Sequence, residues 1–443
     1  MKVNGKPIIL GGGKTAIINV TYHKGATLTC ANGNTVYTAP DNNGFASFSI
    51  SKLGTWVLTI VKDEYRRTMN VKITSKEQVE NIIFDFANVY GVCRDDTSAH
   101  PRWIHTDMAV GKSAGYVGGV SDFDNVSPWK EIQRVIFFDT KDIMVKIPLF
   151  YYKRYRDNGI EYIKIADNKY PDFEPHPAFV DDNGNIVANI YVGAYSTSAN
   201  NKSESGASIR NSMTRSEARG YARAKGTGWG VLDIHADSAI QMLMLVEFAD
   251  YDIQFRLGAG YTLSTNTDII KTGTCDAVPN LTGNASGTGD DGKSDVVWRG
   301  IEGYWGNALE FLEGLNVWRD AYYIGPKRST YADGNQSHYI QLTDVRFDQS
   351  KQSGTIAGHG LSSICPHLFL PSGYVSDDDK QGTTHVTDGA WWVFDGWKVV
   401  LRGGCYKDGS LAGPFAMNVT YTATSELWFA GYRLMYMPDD EYI

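Results

Sequence analysis

A cysteine that follows two glycines is the residue most suggestive of chemistry in this chain. The segment KVVLRGGCYKDGSLAGPFAM, residues 398–417, places Cys405 after a β-branched run, where a tight turn could expose a nucleophile. A catalytic cysteine needs a thiolate, which a nearby histidine, a helix N-terminus or a metal ion stabilises. The nearest upstream histidine is His385, none follows, and a strand that ends in a turn supplies no helix dipole. The sequence therefore favours a thiol without a catalytic role.

Two acidic segments suggest other chemistry. In WGNALEFLEGL, Glu310 and Glu313 are spaced i,i+3, which predicts one face of a helical turn. A glycosidase uses two carboxyl groups about 5–9 Å apart on either side of a sugar bond, so a polysaccharide-cleaving enzyme stays open as an alternative. SDDDKQG, residues 376–382, has oxygen ligands for calcium but lacks the spaced acidic pattern of a calcium loop. We expect a solvated loop there, and no metal or cofactor in the protein.

Composition narrows the class of protein. The 443 residues are 42% hydrophobic and 21% charged, which indicates a globular protein of two or three domains. A net charge of −8 without a Lys/Arg cluster argues against nucleic acid as a partner. No apolar run reaches the roughly 20 residues that span a bilayer, and the N-terminal apolar stretch is too short for a signal peptide. The five scattered cysteines predict free, mostly buried thiols.

The N-terminal part reads as strands. Up to about residue 75, short apolar runs alternate with turns, and Asn32-Gly33 is a hairpin signal, which together predict a small Ig-like β-sandwich. GGGKT at 11–15 ends like a phosphate-binding loop, but Ile8 stands where that motif needs glycine. SKEQVENIIFDFANVYG at 75–91 predicts a short helix within a connector.

Two further helices are predicted in the middle of the chain. TRSEARGYARAK opens with Thr214 and Glu217, the spacing of a capping box. DSAIQMLMLVEFAD opens with Asp237 or Ser238 as its cap. Beyond the second helix, short strands and glycine-rich turns continue to the C-terminus, which indicates an α+β layout.

The C-terminal segment is rich in aromatic residues. Between Trp391 and Ile443 there are twelve, about twice the average density of the chain. We expect Phe429, Tyr432 and Leu434 to lie in the core. The other aromatic residues alternate with Asp, Ser, Thr and Asn, a pattern typical of a binding surface displayed on a rigid scaffold.

Several motifs resemble one fold family. VVLRGGCY followed by GYRL is similar to the closing segment of the C-type lectin-like fold in its formylglycine-generating-enzyme branch, where an RGGSW-type strand leads through a loop to a GFRL-type strand. RGIEGYWGNALEFLEGLNV resembles the GNVWEW segment of that branch, and residues 213–250 resemble its two-helix stretch. The motifs occur in the family's order from about Val145 to Ile443. The blocks MVKIPLFYYKRY, IYVGAYSTS, WRGIEGYWGN and RGGCYKDGSLAGPFAMNV resemble receptor-binding tail proteins of gut bacteriophages and retroelement-diversified variable proteins.

The resemblance has consequences for the site. The oxidase of this branch binds copper through two cysteines, whose positions are Asp408 and Gly413 here, and Cys405 stands where the family usually has serine. The copper ligands are therefore missing, and Cys405 is not the nucleophile of that family. In diversified relatives, the loop between the RGG strand and the last strand varies and contacts the ligand. NVTYTATSELW at 418–428 is compatible with such diversification and equally with an ordinary polar loop.

The sequence thus predicts a multidomain protein. We expect an all-β Ig-like sandwich at 1–75, a connector at 76–144, and an α+β C-type lectin-like domain with two helices and many short strands at 145–443. The resemblance implies a non-enzymatic phage tail adhesin that acts in the virion tail, binds a bacterial surface protein or glycan, contacts other tail proteins and forms a homotrimer. A structural tail protein without receptor contact is the remaining alternative. The residues expected to contact the ligand are Asp395, Tyr406, Lys407, Asp408, Ser410, Asn418, Thr420, Tyr421, Thr422, Thr424 and Trp428.

Overall fold

The protein is mostly β-sheet and divides into two compact units. The first unit comprises Met1–Asn88 and Ala166–Phe173, and the second comprises Val89–Ile165 and Glu174–Ile443. The segment expected to be a connector, 76–144, is thus shared between the two units. The computed structural model describes residues 2–3, 6–7, 15–98, 101–115, 120–284, 292–334, 337–348, 353–375 and 386–439. The glycines at 11–13 and the acidic loop at 376–382 lie outside these residues.

Short strands make up the first unit. They are β1 (Lys2–Val3), β2 (Lys6–Pro7), β3 (Ala16–Thr21), β4 (Thr27–Asn32), β5 (Thr35–Thr38), β6 (Phe45–Ile50), β7 (Gly54–Lys62), β8 (Tyr65–Ile73) and β9 (Val79–Ile83). One sheet has the order β6-β3-β9 and another the order β5-β4-β7-β8, while β1 pairs with β2. The predicted hairpin is confirmed, since β4 and β5 pair antiparallel around a turn in which Gly33 has a φ of +57°.

Alternating burial explains how these strands form a core. In β7, Trp56, Leu58 and Ile60 are fully buried, whereas the residues between them are partly exposed. Successive side chains of a strand point to opposite faces, so this alternation leaves one apolar face. That face packs with buried residues of the other sheet, among them Ile18 and Phe48, in one hydrophobic cluster.

The second unit contains the helices in its first half. The elements there are β10 (Val89–Asp95), β11 (Trp103–Asp107), β12 (Gln133–Ile136), β13 (Ile143–Pro148), β14 (Tyr151–Asp157), β15 (Ile160–Ala166), β16 (Glu174–Pro175), β17 (Asn189–Gly193), α1 (Arg215–Arg223), β18 (Trp229–Val231), α2 (Ile234–Phe248) and α3 (Ile253–Leu257). No helix among the described residues is long and apolar enough to cross a membrane.

The second half of this unit consists of strands joined by turns. They are β19 (Gly283–Asn284), β20 (Val296–Trp298), β21 (Ile301–Glu302), β22 (Leu309–Trp318), β23 (Ala321–Ile324), β24 (Ile340–Arg346), β25 (Ser353–Thr355), β26 (His359–Gly360), β27 (Leu370–Pro371), β28 (Gly389–Trp392), β29 (Trp397–Arg402), β30 (Met417–Val419), β31 (Ala430–Gly431) and β32 (Leu434–Tyr436).

Two sheets of the second unit position its C-terminal segment. The largest sheet has the order β24-β23-β22-β29-β30-β28-β25, and β31 also pairs with β22. A five-stranded sheet has the order β12-β13-β17-β32-β18. The last strand of the described chain is therefore an inner strand of a sheet. The core prediction is confirmed for Tyr432 and Leu434, which are fully buried, whereas Phe429 is only half-buried.

The two helices predicted in the middle of the chain are confirmed, with one change of cap. Thr214 and Glu217 form the expected capping box of α1. The expected start of α2 at Asp237 or Ser238 is wrong, because the Asp233 side chain caps the helix one turn earlier. Every side chain of α2 is buried, so the helix has no polar face that would mark its start. The short helix α3 was not expected.

The helix expected at 75–91 is wrong. This segment contains β9 and the start of β10. The apolar residues Val79, Ile82, Ile83 and Phe86 have helix-like spacing, but β9 pairs in parallel with β3, about 60 residues upstream. A ladder formed over such a distance along the chain leaves no local signal.

Candidate ligand-binding surface

The glycine pair after β29 forms the turn from which the candidate loop begins. Gly403 and Gly404 have φ values of +85° and +73°, a region that favours glycine. A Cβ added to Gly404 would lie 2.7 Å from the backbone of Ala412, so the close return of the loop also requires glycine. The chain comes back as β30, which pairs antiparallel with β29. The loop 405–416 is thus anchored at both ends by neighbouring strands of the largest sheet.

Cys405 lies at the base of this loop and is a neutral thiol. Its backbone N–H donates to Asp408 Oδ2 at 2.6 Å. Burial, and to a lesser extent the neighbouring Asp408 carboxylate, raises the pKa of the Cys405 thiol to about 12. Since the thiolate is the reactive form, this environment disfavours nucleophilic chemistry at neutral pH.

An aromatic cluster lies beside the loop. Trp428 is 47% exposed, and its ring centroid lies 5.8 Å from that of Tyr406 and 5.5 Å from that of Phe429. Phe429 in turn lies 6.2 Å from Tyr421. Tyr406 is almost completely buried, and Phe429 and Tyr421 are half-buried. Trp428 is therefore the outermost ring of a packed group, and its neighbours restrict its orientation.

Exposed polar side chains lie in the segment that precedes Trp428 and in the loop that contains Tyr406. The Lys407 ammonium lies 5.2 Å from the centroid of the Tyr406 ring, which places it next to the cluster. Thr422 and Thr424 are exposed, and their hydroxyls lie 3.2 Å apart. Together with Glu426 and Trp428, these side chains form what we call the Trp428 surface, defined by Lys407, Thr422, Thr424, Glu426 and Trp428.

The other residues predicted to bind ligand have different positions. Asp395 is exposed and pairs with Lys398 Nζ at 2.6 Å, beyond the opposite end of β29 from the loop. Ser410 is exposed in the short turn Gly409–Leu411. Asn418 is 8% exposed, and its side chain accepts from the backbone N–H of the half-buried Thr420. Asn418 and Tyr406 are thus both buried, and the Tyr406 ring packs against the more exposed ring of Trp428.

One exposed residue of this region, Glu426, is not among the residues predicted from the sequence to contact the ligand, and Phe429 differs from its predicted position. Glu426 is exposed, and the exposed positions in this segment recur at every second residue through Thr422, Thr424, Glu426 and Trp428. In the sequence, the polar residues Thr422, Thr424 and Glu426 show the same two-residue spacing. Phe429, expected in the core, instead contacts Trp428, and its half-burial depends on contacts that sequence spacing does not reveal.

A buried ion-pair network lies beneath the strands that carry the loop. Arg402, the arginine of the RGG motif, pairs with Asp237 at 2.5 Å and with Glu310 at 3.3 Å. Arg433, the arginine of the GYRL motif, pairs with the same glutamate at 2.8 Å. The Arg402 guanidinium also lies over the Tyr304 ring, 3.6 Å from its centroid. Arg402 thus connects β29 to α2 and β22, and Arg433 connects the segment before β32 to β22.

The expectation that Glu310 and Glu313 share a helical turn is wrong. Both lie on β22, which is buried along nearly its whole length. Glu310 Oε1 accepts from Ser196 Oγ at 2.6 Å in addition to its two arginine partners. Glu313 pairs with Arg219 at 2.8 Å, at a bulge where the register of β22 against β29 shifts. An i,i+3 acidic pair is compatible with a helix. This segment is a strand because β23 and β29 pair with it on its two sides.

Three buried histidines lie close together in the second unit. His235 Nδ1 lies 2.8 Å from His367 Nε2, and the rings of His176 and His367 are 5.3 Å apart. Burial lowers the pKa of all three, and in His176 and His367 it lies well below 6.5. The cluster is therefore neutral at physiological pH. The residues that the structure describes contain no group of three or more His, Cys, Asp or Glu side chains placed to hold a metal ion.

Comparisons with known proteins add no family. No protein-family model matches the chain, and no curated protein matches it in sequence.

Proposed function

We propose that this protein is a non-enzymatic, receptor-binding adhesin of a bacteriophage tail, and that the Trp428 surface contacts a protein or glycan on the bacterial cell. The proposal is supported by the resemblance of four sequence blocks to phage receptor-binding proteins. It is also supported by the position of the exposed indole, next to the loop that binds ligand in diversified relatives.

The observation that carries the proposal is the half-exposed ring of Trp428, packed against Tyr406 and Phe429. An indole is a large apolar group, and tryptophan is among the residues that contribute most to binding interfaces. Its neighbours hold the ring in place, so little side-chain entropy is lost when a ligand covers it. Such an arrangement suits an anchor that is ordered before binding.

The polar side chains of the Trp428 surface suit recognition of a polar ligand. Thr422 and Thr424 offer hydroxyls that donate and accept, and Lys407 and Glu426 offer one charge of each sign. An aromatic ring with hydroxyls and charges around it can contact either a sugar face or a protein epitope. Multivalent display in a homotrimer would raise the strength of a weak single site.

We also propose a fold for each of the two units. The two larger sheets of the first unit, with three and four strands, suit an Ig-like module. The pairing of Arg402 and Arg433 with one buried glutamate supports a C-type lectin-like second unit, because the RGG and GYRL motifs that suggested this fold meet in space. An adhesin of this kind would act in the virion tail, joined to other tail proteins.

Two features weigh against the enzyme alternatives. Cys405 is a neutral thiol whose pKa is raised by burial. Glu310 is buried and held between two arginines, so neither a proton donor for a sugar bond nor a nucleophile is available there.

The proposal is tested by the binding of the purified protein to a panel of gut bacterial strains, measured by flow cytometry. Wild type is compared with Trp428→Ala and with Phe138→Ala, a control that removes another aromatic ring, 82% exposed and outside the Trp428 surface. We expect strain-selective binding that falls at least about tenfold in Trp428→Ala and is unchanged in Phe138→Ala. Equal binding by all three proteins would place the site elsewhere, and no binding to any strain would favour a structural tail protein.

A further inference from the structure

A cavity of about 350 Å³ lies in the second unit, between the end of α1, strand β18 and the segment that follows β32. This volume is within the range of small-ligand sites, about 300–1,000 Å³. The described residues that line it do not include any of the Trp428 surface. The cavity is therefore a separate candidate site, beyond the proposed receptor contact.

Glu313 is the most informative residue of the cavity wall. Its side chain is only 2% exposed, and Oε1 accepts from Arg219 Nε at 3.0 Å. Oε2 has no hydrogen-bond partner among the described residues. A buried carboxylate oxygen without a donor costs about 1–3 kcal/mol or more, so a donor entering the cavity would be bound favourably.

The charge of the lining favours a cation. Five carboxylates line the cavity against three guanidinium groups. These arginines are already engaged: Arg219 pairs with Glu313 and with Asp333, and Arg328 pairs with Asp233 at 2.7 Å. Arg223, the third, donates to backbone carbonyl oxygens of the turn Arg328–Thr330. With five carboxylates against three guanidinium groups, the lining as a whole carries a net negative charge.

The geometry of Glu313 selects the kind of cation. A guanidinium group binds a carboxylate best through both oxygens at once, but Arg219 already uses Oε1. A compact ammonium group needs only the single oxygen that is left. The wall beside it includes Val231, Met435 and Met437, which are apolar and suit an aliphatic stem.

We propose that this cavity binds a primary alkylammonium group, with Glu313 Oε2 as its acceptor and the apolar wall around its stem. The group can belong to a free aliphatic amine or to a lysine side chain. Both sources present the same ammonium head on a short chain of methylene groups.

The proposal is tested with the full chain and three probes of equal stem length: n-butylammonium, n-butylguanidinium and n-butanol. Binding is followed by titration calorimetry and by the methyl NMR signals of ¹³C-labelled methionine. Met435 and Met437 line the cavity, and Met108, which is 39% exposed, serves as the reference. Nα-acetyl-lysine amide, added in a further arm, distinguishes a lysine side chain from a free amine.

We expect n-butylammonium to bind at least about tenfold more tightly than n-butanol and to shift Met435 and Met437 but not Met108. Glu313→Gln should remove that preference, while Glu174→Gln, an exposed carboxylate in the same unit, should keep it. Equal affinity for the amine and the alcohol, unshifted cavity methionines, or tighter binding of the guanidinium probe would each overturn the proposal. If Glu313→Gln does not fold, the NMR measurement on the wild-type protein still tests the proposal.

Discussion

Replacing Glu310 by glutamine tests whether the buried ion pairs hold the scaffold of the site together. Glu310 is 1% exposed and is the shared partner of Arg402 and Arg433. Glutamine has nearly the same shape but no charge. The variant therefore keeps the packing and leaves two buried arginines with Asp237 as their one remaining carboxylate partner in this network.

The expected cost follows from that loss of charge. Removal of one member of a buried ion pair typically destabilises a protein by about 3–5 kcal/mol, because the remaining charge is buried without compensation. Glutamine keeps its carbonyl oxygen as an acceptor, so we expect the lower end, about 3 kcal/mol, in the free energy of unfolding. Urea titration followed by tryptophan fluorescence measures this quantity.

The control is Glu174→Gln, which neutralises an exposed carboxylate of the same unit. Its free energy of unfolding should stay within about 0.5 kcal/mol of wild type. A Glu310→Gln protein as stable as this control would refute the structural account of the network. A variant that is equally stable but no longer releases reducing sugars from bacterial capsule would instead restore the glycosidase alternative.

Further predictions concern acid stability and two glycines. Burial and the two neighbouring histidines lower the pKa of His367. Below about pH 6.5 the unfolded chain therefore takes up a proton that the folded chain does not bind, so the free energy of unfolding decreases as the pH decreases. His367→Phe should reduce this loss by about 1 kcal/mol between pH 6.5 and 5.5, as measured by urea titration at the two pH values. Gly413→Ala should destabilise the protein by about 1–3 kcal/mol, since an added Cβ would collide with a buried aspartate. Gly220→Ala, in α1 with open space around the added Cβ, should stabilise it by about 0.5–1 kcal/mol in the same urea titration.

Local signals in the sequence were enough for parts of the fold. The capping box of Thr214 and Glu217 fixes the start of α1 because both partners lie within one turn. The hairpin of β4 and β5 depends on a two-residue turn, which is equally local. The start of α2 failed because the helix is buried on all sides and its polar residues do not mark a surface.

Non-local pairing explains the errors. β9 is a strand because β3 lies beside it, and β22 is a strand because β23 and β29 flank it. In both segments the spacing of residues matched a helix, and only partners distant in the chain decide between the two structures.

Part of the candidate site, too, can be predicted from the sequence, and part of it cannot. The exposure of Thr422, Thr424 and Trp428 agrees with their polar and aromatic alternation in the sequence. The burial of Tyr406 beneath Trp428 does not follow from the sequence, because the two residues are 22 positions apart. Likewise, the motif arginines Arg402 and Arg433 suggested a family, but their shared glutamate partner is visible only in the fold.

The central claim, that the Trp428 surface contacts the bacterial cell, is tested most directly by hydroxyl-radical footprinting. The oxidation rate of Trp428 is measured by mass spectrometry in the free protein and in protein bound to a strain that retains it. We expect binding to slow the oxidation of Trp428 severalfold, while the rate at Phe138, the 82% exposed internal reference, stays the same. Equal oxidation of Trp428 in the free and bound protein would contradict the claim.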